Sequence, residues 1–83
     1  MGAPVNKSQA YAFVERLRTA NLAYQEHPKD RNVIVALCNA NNDTLKAKRK
    51  MEKYYQSCPM EEVDQVREII SQLETVLDTV TIL

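Results

Sequence analysis

Glycine is nearly missing from this chain: Gly2 is the only one in 83 residues, and none occurs from Ala3 to Leu83. Gly-rich phosphate loops, the dinucleotide-binding G-x-G-x-x-G turn and Asn-Gly or Asp-Gly hairpins all need backbone conformations that glycine alone adopts cheaply. All three are excluded. Cysteine is scarce as well. Cys38 and Cys58 are the only two, too few for a disulfide scaffold and without C-x-x-C spacing, although one bridge between them is left open by sequence. Long apolar runs are absent, the longest being Val33 to Cys38, whereas a membrane-spanning helix needs about 20 residues. The first seven residues hold no apolar h-region of a secretory signal. The expected setting is therefore the reducing cytoplasm.

Histidine is limited to His27. A catalytic imidazole needs a nucleophile or an orienting carboxylate beside it. Cys38 lies well inside the following helix, and Cys58 sits at a different helix junction. Two cysteines and one histidine do not form the close ligand pairs of a zinc site, and the acids show neither E-x-x-H nor a calcium-loop spacing. No catalytic residue, metal or cofactor is expected, and the chain reads as a non-enzyme.

Excess charge of either sign is missing too, with 11 basic and 11 acidic side chains. Apolar residues at 45% and charged residues at 27% are nevertheless those of a folded domain rather than a disordered one. A chain of this length reads as a single domain over residues 1–83, with a short flexible N-terminus at 1–6. Such a domain buries roughly 60% of its unfolded surface.

What is present is helical periodicity. Ala10, Phe13, Val14, Leu17, Ala20 and Tyr24 recur at steps of three and four, which predicts a helix over about 8–26. Tyr11 and Leu22 lie off this face on one line of the helix surface, as either scattered exposed residues or a thin second apolar strip. Pro28, with Asp30 after it, suits the first turn of a second helix over about 29–57. Its seam is Val33, Leu37, Ala40, Thr44, Ala47, Met51 and Tyr54. Asn39 to Asp43 are weak helix formers and good caps, so a break near Asn41–Asp43 would give four helices instead of three. A third reading makes Val33–Cys38 a strand, but nothing in the chain is available to pair with it. Pro59 repeats the punctuation before Glu61 and Glu62, and a third helix is expected over about 60–81. Val63, Val66, Ile70, Leu73, Leu77 and Val80 take its heptad core positions, and Ile69, Val76 and Leu83 widen the same face. The fold class is all-α, an antiparallel three-helix bundle with short connections.

Tyr-Gln-x-x-Pro-x-acid occurs at Tyr24 and again at Tyr55, 31 residues apart. The upstream residues do not continue the match, and two units are too few for a solenoid. It reads as two helix junctions solved in the same way.

The strongest local signal is Lys46, Arg49, Lys50 and Lys53, which a helix gathers on the side opposite Ala47, Met51 and Tyr54. Residues 43–58 carry five bases and two acids, while residues 59–83 carry one base and six acids. Zero net charge is thus a sum of opposed segments. Three readings stay open. In an antiparallel hairpin Glu61, Glu62, Asp64 and Glu68 flank the basic residues and neutralise them internally. Otherwise the face meets an acidic protein, or it neutralises phosphates of a nucleic acid. The protein partner ranks ahead of nucleic acid, because small DNA-binding domains are usually net basic.

The ends carry weaker signals. Met1-Gly2 opens like an acylation site, but Asn6 replaces the usual Ser or Thr, and a cloning remnant explains it as well. Thr81-Ile82-Leu83 resembles a carboxyl-terminal peptide signal, with packing of the last turn as the plainer role. The expected function is a non-catalytic helical interaction module: an adaptor, an assembly subunit or a small inhibitor of a larger complex, including the compact proteins of viruses and phages. A core this small seldom supplies more than ~3–5 kcal/mol, so a homodimer is expected, with Tyr11, Leu22, Val33 and Ile34 as its contact.

Overall fold

A computed structural model describes residues 7–80. Among them are three α-helices, α1 (Lys7–Glu26), α2 (Arg31–Tyr55) and α3 (Val63–Asp78), with a 3-10 turn at Met60–Glu62 and no strand. Expectations about residues 1–6, Gly2 and Thr81–Leu83 fall outside the described residues.

The junctions follow from having no glycine to spend on a left-handed cap: no described residue has a positive φ. After α1 the chain turns through His27, Pro28 and Lys29, with the Asp30 N–H donating to the His27 carbonyl at 3.1 Å. Asp30 is extended, and its carboxylate accepts the N–H of Asn32 at 2.9 Å. It is the N-cap, so α2 begins at Arg31, two residues later than Pro28 suggested. The reason is that a side-chain acceptor satisfies an otherwise unpartnered helix N–H, which proline in the first turn does not. α2 ends at Tyr55, two residues early, in a turn closed by Ser57 N–H to the Tyr54 carbonyl at 3.0 Å. Pro59 caps with no side-chain acceptor, and the chain tightens to 3-10 before α3.

α2 is continuous through Asn39–Asp43. Leu37 and Thr44, on either side of that stretch, and Ala40 within it are all buried. Asp43 is drawn into an ion pair with Arg16 at 2.7 Å and caps nothing. Tertiary packing therefore overrides the weak local propensity, and both the four-helix variant and the strand at Val33–Cys38 are corrected.

Each helix touches the other two. Ala10, Val14 and Leu17 of α1 meet Leu37, Ala40 and Met51 of α2 and Val66, Ile69, Leu73 and Val76 of α3 in one core. On α3 the deep positions differ from the expected heptad. Ile69 and Val76 are buried while Ile70 and Leu77 are only half-buried. A helix wedged between two neighbours centres its apolar face between them, whereas a two-stranded seam would centre it on Ile70 and Leu77. Cys38 and Cys58 carry free thiols, so no bridge joins them.

Two polar groups complete the interior. Thr44 is fully buried, and its hydroxyl donates to the Ala40 carbonyl one turn back at 2.7 Å. Asn21, only 8% exposed, donates from Nδ2 to the Thr79 carbonyl at 3.2 Å, tying the end of α3 to α1.

Candidate functional site

The outward side of α2 is built by spacing alone. Arg31, Asn32, Val35, Asn39, Asn42, Lys46, Arg49, Lys50 and Lys53 are all exposed, as expected for positions turned away from Leu37, Ala40, Thr44 and Met51. α2 contains two acids, Asp43 and Glu52, and neither serves this side. Asp43 pairs with Arg16 of α1, and Glu52 lies 3.6 Å from Lys48. The second half of the face is therefore four cations with no acid among them.

Lys46, Arg49, Lys50 and Lys53 are neighbours at i,i+3 and i,i+4, an arrangement that costs a helix about 0.2–0.5 kcal/mol per like-charged pair. The helix dipole offsets this only in the last turn, where Lys53 sits. Of the other described cations, Lys29 and Arg31 are likewise in no ion pair, while those beside an acid are engaged. Arg16 bonds Asp43, Arg18 bonds Glu15 at 2.7 Å, and Lys48 reaches both Glu52 and, at 3.5 Å, Glu74 of α3. None of the four face residues is in an ion pair among the described residues.

This departs from the internal neutralisation considered above. Glu61, Glu62, Asp64 and Glu68 form no ion pair with the basic face among the described residues. The α2–α3 ion pair belongs instead to Lys48 and Glu74, because Lys48 lies on the side of α2 turned toward α3. Its position one residue from the face conceals that role in a linear reading. Glu62 is also occupied: the Tyr54 hydroxyl donates to its Oε1 at 2.6 Å. That bond, then partial burial and the carboxylate charge, push the Tyr54 pKa up to about 12. Next to it, Arg67 Nη2 donates to the Tyr55 hydroxyl at 3.1 Å, which pushes the guanidinium pKa further up. Glu52, Tyr55, Gln56, Arg67, Ile70, Ser71 and Glu74 line an open groove of about 510 Å³ along this seam. Its charged groups are already held by Lys48 and Tyr55.

The residues expected to support a homodimer differ in exposure. Leu22 is 55% exposed, while Tyr11, Val33 and Ile34 are half-buried. Tyr11 and Leu22 stand eleven residues apart on α1, roughly 16 Å along the axis. Val35, half exposed on the outward side of α2, was not singled out by periodicity. His27 is exposed at the α1–α2 junction and Cys58 is half-buried at the α2–α3 junction, so α2, ~37 Å long, separates them. Asn21 gave no signal in sequence beyond sitting at i+4 from Leu17, a spacing that a polar residue occupies only with a partner.

Comparison with protein-family models, with curated proteins and with solved structures returns no match to this chain.

Proposed function

We propose that the chain is an antiparallel three-helix bundle that works by docking rather than catalysis, and that the outward face of α2 binds an acidic surface of a protein partner. The direction of the helices is supported by their cross-links. As numbers rise in α2 they fall in α3, since Lys48 meets Glu74 and Tyr55 meets Arg67. Non-catalytic action is supported by the separation of His27 from Cys58 at opposite ends of α2.

The observation that carries the docking reading is the uncompensated charge. Four cations sit together on one solvent-facing stripe, at a cost to the helix, while both acids of α2 are committed elsewhere. An external acidic surface would relieve that repulsion and be steered toward it over about a Debye length, ~8 Å at physiological salt.

A second reading, nucleic-acid binding, is favoured by Asn39 and Asn42, exposed amides that extend the same face without interrupting it with an acid. Against it stands the balance of 11 bases and 11 acids, since small DNA-binding domains are usually net basic. The test is matched capture from nuclease-treated native extract by wild type and by Arg49→Glu/Lys50→Glu. The docking reading expects proteins held by wild type at low salt and released by the double change. Identical protein sets would overturn it, and capture that disappears on nuclease treatment would favour the nucleic-acid reading.

A further inference from the structure

A second charged face lacks an internal partner. Glu61, Asp64 and Glu68 are exposed, at steps of three and four from the 3-10 turn into the second turn of α3, and none is in an ion pair among the described residues. The helix dipole accounts for acids in the first turn, Glu61 and Asp64. It does not account for Glu68. The acids on the side turned toward α2 are used differently: Glu62 accepts from Tyr54, and Glu74 pairs with Lys48.

The basic and acidic faces match in length and are opposite in sign. Each spans eight residues, Lys46 to Lys53 and Glu61 to Glu68, seven steps or roughly 10 Å along a helix. Within one chain no ion pair joins them among the described residues. The contacts that cross from α2 to α3 are made by other side chains, Lys48 to Glu74 and Arg67 to Tyr55.

We propose that a second copy of this chain docks on the outward face of α2, setting its Glu61, Asp64 and Glu68 against Lys46, Arg49, Lys50 and Lys53. This rests on reading that face as a docking surface and names one occupant of it. Each copy brings one face of each sign, and the contact made one way round is heterologous: such a pair leaves one basic and one acidic face free, and further copies add head to tail. The association is driven by exposed charges and is therefore weak and salt-sensitive. It needs neither Leu22 nor any other apolar residue.

Sedimentation velocity of the full chain, over a concentration series at low and at raised salt, tests this. The expected result is a mean mass that rises with concentration at low salt and returns to that of the monomer at raised salt. Arg49→Glu/Lys50→Glu and Asp64→Lys/Glu68→Lys should each weaken association by on the order of tenfold or more, and an equimolar mixture of the two should restore it. Leu22→Glu should leave it unchanged. Far-ultraviolet circular dichroism of each variant shows that the helices persist, as expected for exposed positions. A wild-type chain that stays monomeric throughout would overturn the proposal. So would association that survives both reversals or is abolished by Leu22→Glu. Those results would leave docking of an acidic protein on α2 to be judged by the capture experiment, so the two readings fail separately.

Discussion

Lys48 Nζ lies 3.5 Å from Glu74 Oε2 and 3.6 Å from Glu52 Oε2, and its side chain is only 23% exposed. Its neighbours Lys46 and Lys50 point into solvent without an acid. One lysine of this segment thus serves the bundle, and the others do not. The distinction separates structural charge from charge free to act on something else.

Stability should divide along the same line. Lys48→Ala is expected to cost about 0.5–1 kcal/mol, since partly screened pairs are worth no more than that. Lys46→Ala and Lys50→Ala should be neutral or slightly stabilising, because they relieve like-charge neighbours and alanine is a good helix former. Urea unfolding followed by circular dichroism measures all three. A loss for Lys50→Ala as large as for Lys48→Ala would mean that the outward face has internal partners after all.

The tie between Asn21 and Thr79 makes a second expectation. Asn21→Ala removes the donor to the Thr79 carbonyl at the end of α3, leaving a part-buried acceptor unsatisfied. The expected cost is about 1–2 kcal/mol, with faster amide hydrogen exchange over the last turn of α3. Unchanged exchange there would show that this tie does not hold the helix end.

Leu73 is fully buried on α3. Leu73→Ala should cost ~2–5 kcal/mol, comparable to the whole stability of a bundle this small, so the variant should be largely unfolded at room temperature. Thr44→Val, by contrast, removes a hydroxyl whose only bond among the described residues is to the Ala40 carbonyl of its own helix, and keeps the volume. It should change stability by less than about 1 kcal/mol. Thermal unfolding of both distinguishes packing from the internal hydroxyl bond.

Tyr54 sets a pH window. Its hydroxyl is pushed from 10.0 to about 12 by donation to Glu62, so the folded chain holds this proton where the unfolded chain releases it. The stabilisation is fully present below pH ~10 and is lost as pH rises from there toward ~12, since the unfolded state then binds fewer protons. Near-ultraviolet absorbance of tyrosinate should show one late-titrating tyrosine, and Glu62→Gln should bring it back toward the ordinary value. A late tyrosine that persists in Glu62→Gln would contradict the assignment.

Most of the helix content was legible because it rests on periodicity: Leu17, Leu37 and Leu73 fall at the centre of their faces and are fully buried. What sequence concealed depends on the third dimension. Whether Asn39–Asp43 breaks α2 is decided by the packing of Leu37, Ala40 and Thr44 into the shared interior, which no local pattern contains. The shift of the α3 core toward Ile69 and Val76 arises from packing on two helices at once. Of the candidate site, the grouping of Lys46, Arg49, Lys50 and Lys53 was readable from spacing. Their lack of acidic partners was not, because Lys48, Glu62 and Glu74 had first to be placed.

Binding of an acidic partner at the outward face of α2 is the proposal on which the functional reading rests. It is tested most directly by mapping backbone amide shifts of the isotopically labelled chain as a polyglutamate peptide is added, with a DNA duplex of equal charge in a parallel titration. The account predicts that the peptide shifts cluster at Lys46, Arg49, Lys50 and Lys53, that the duplex binds more weakly, and that raised salt abolishes both. Shifts as large at Lys29 and Arg31 as on the four-cation stripe, or none on that stripe, would contradict it.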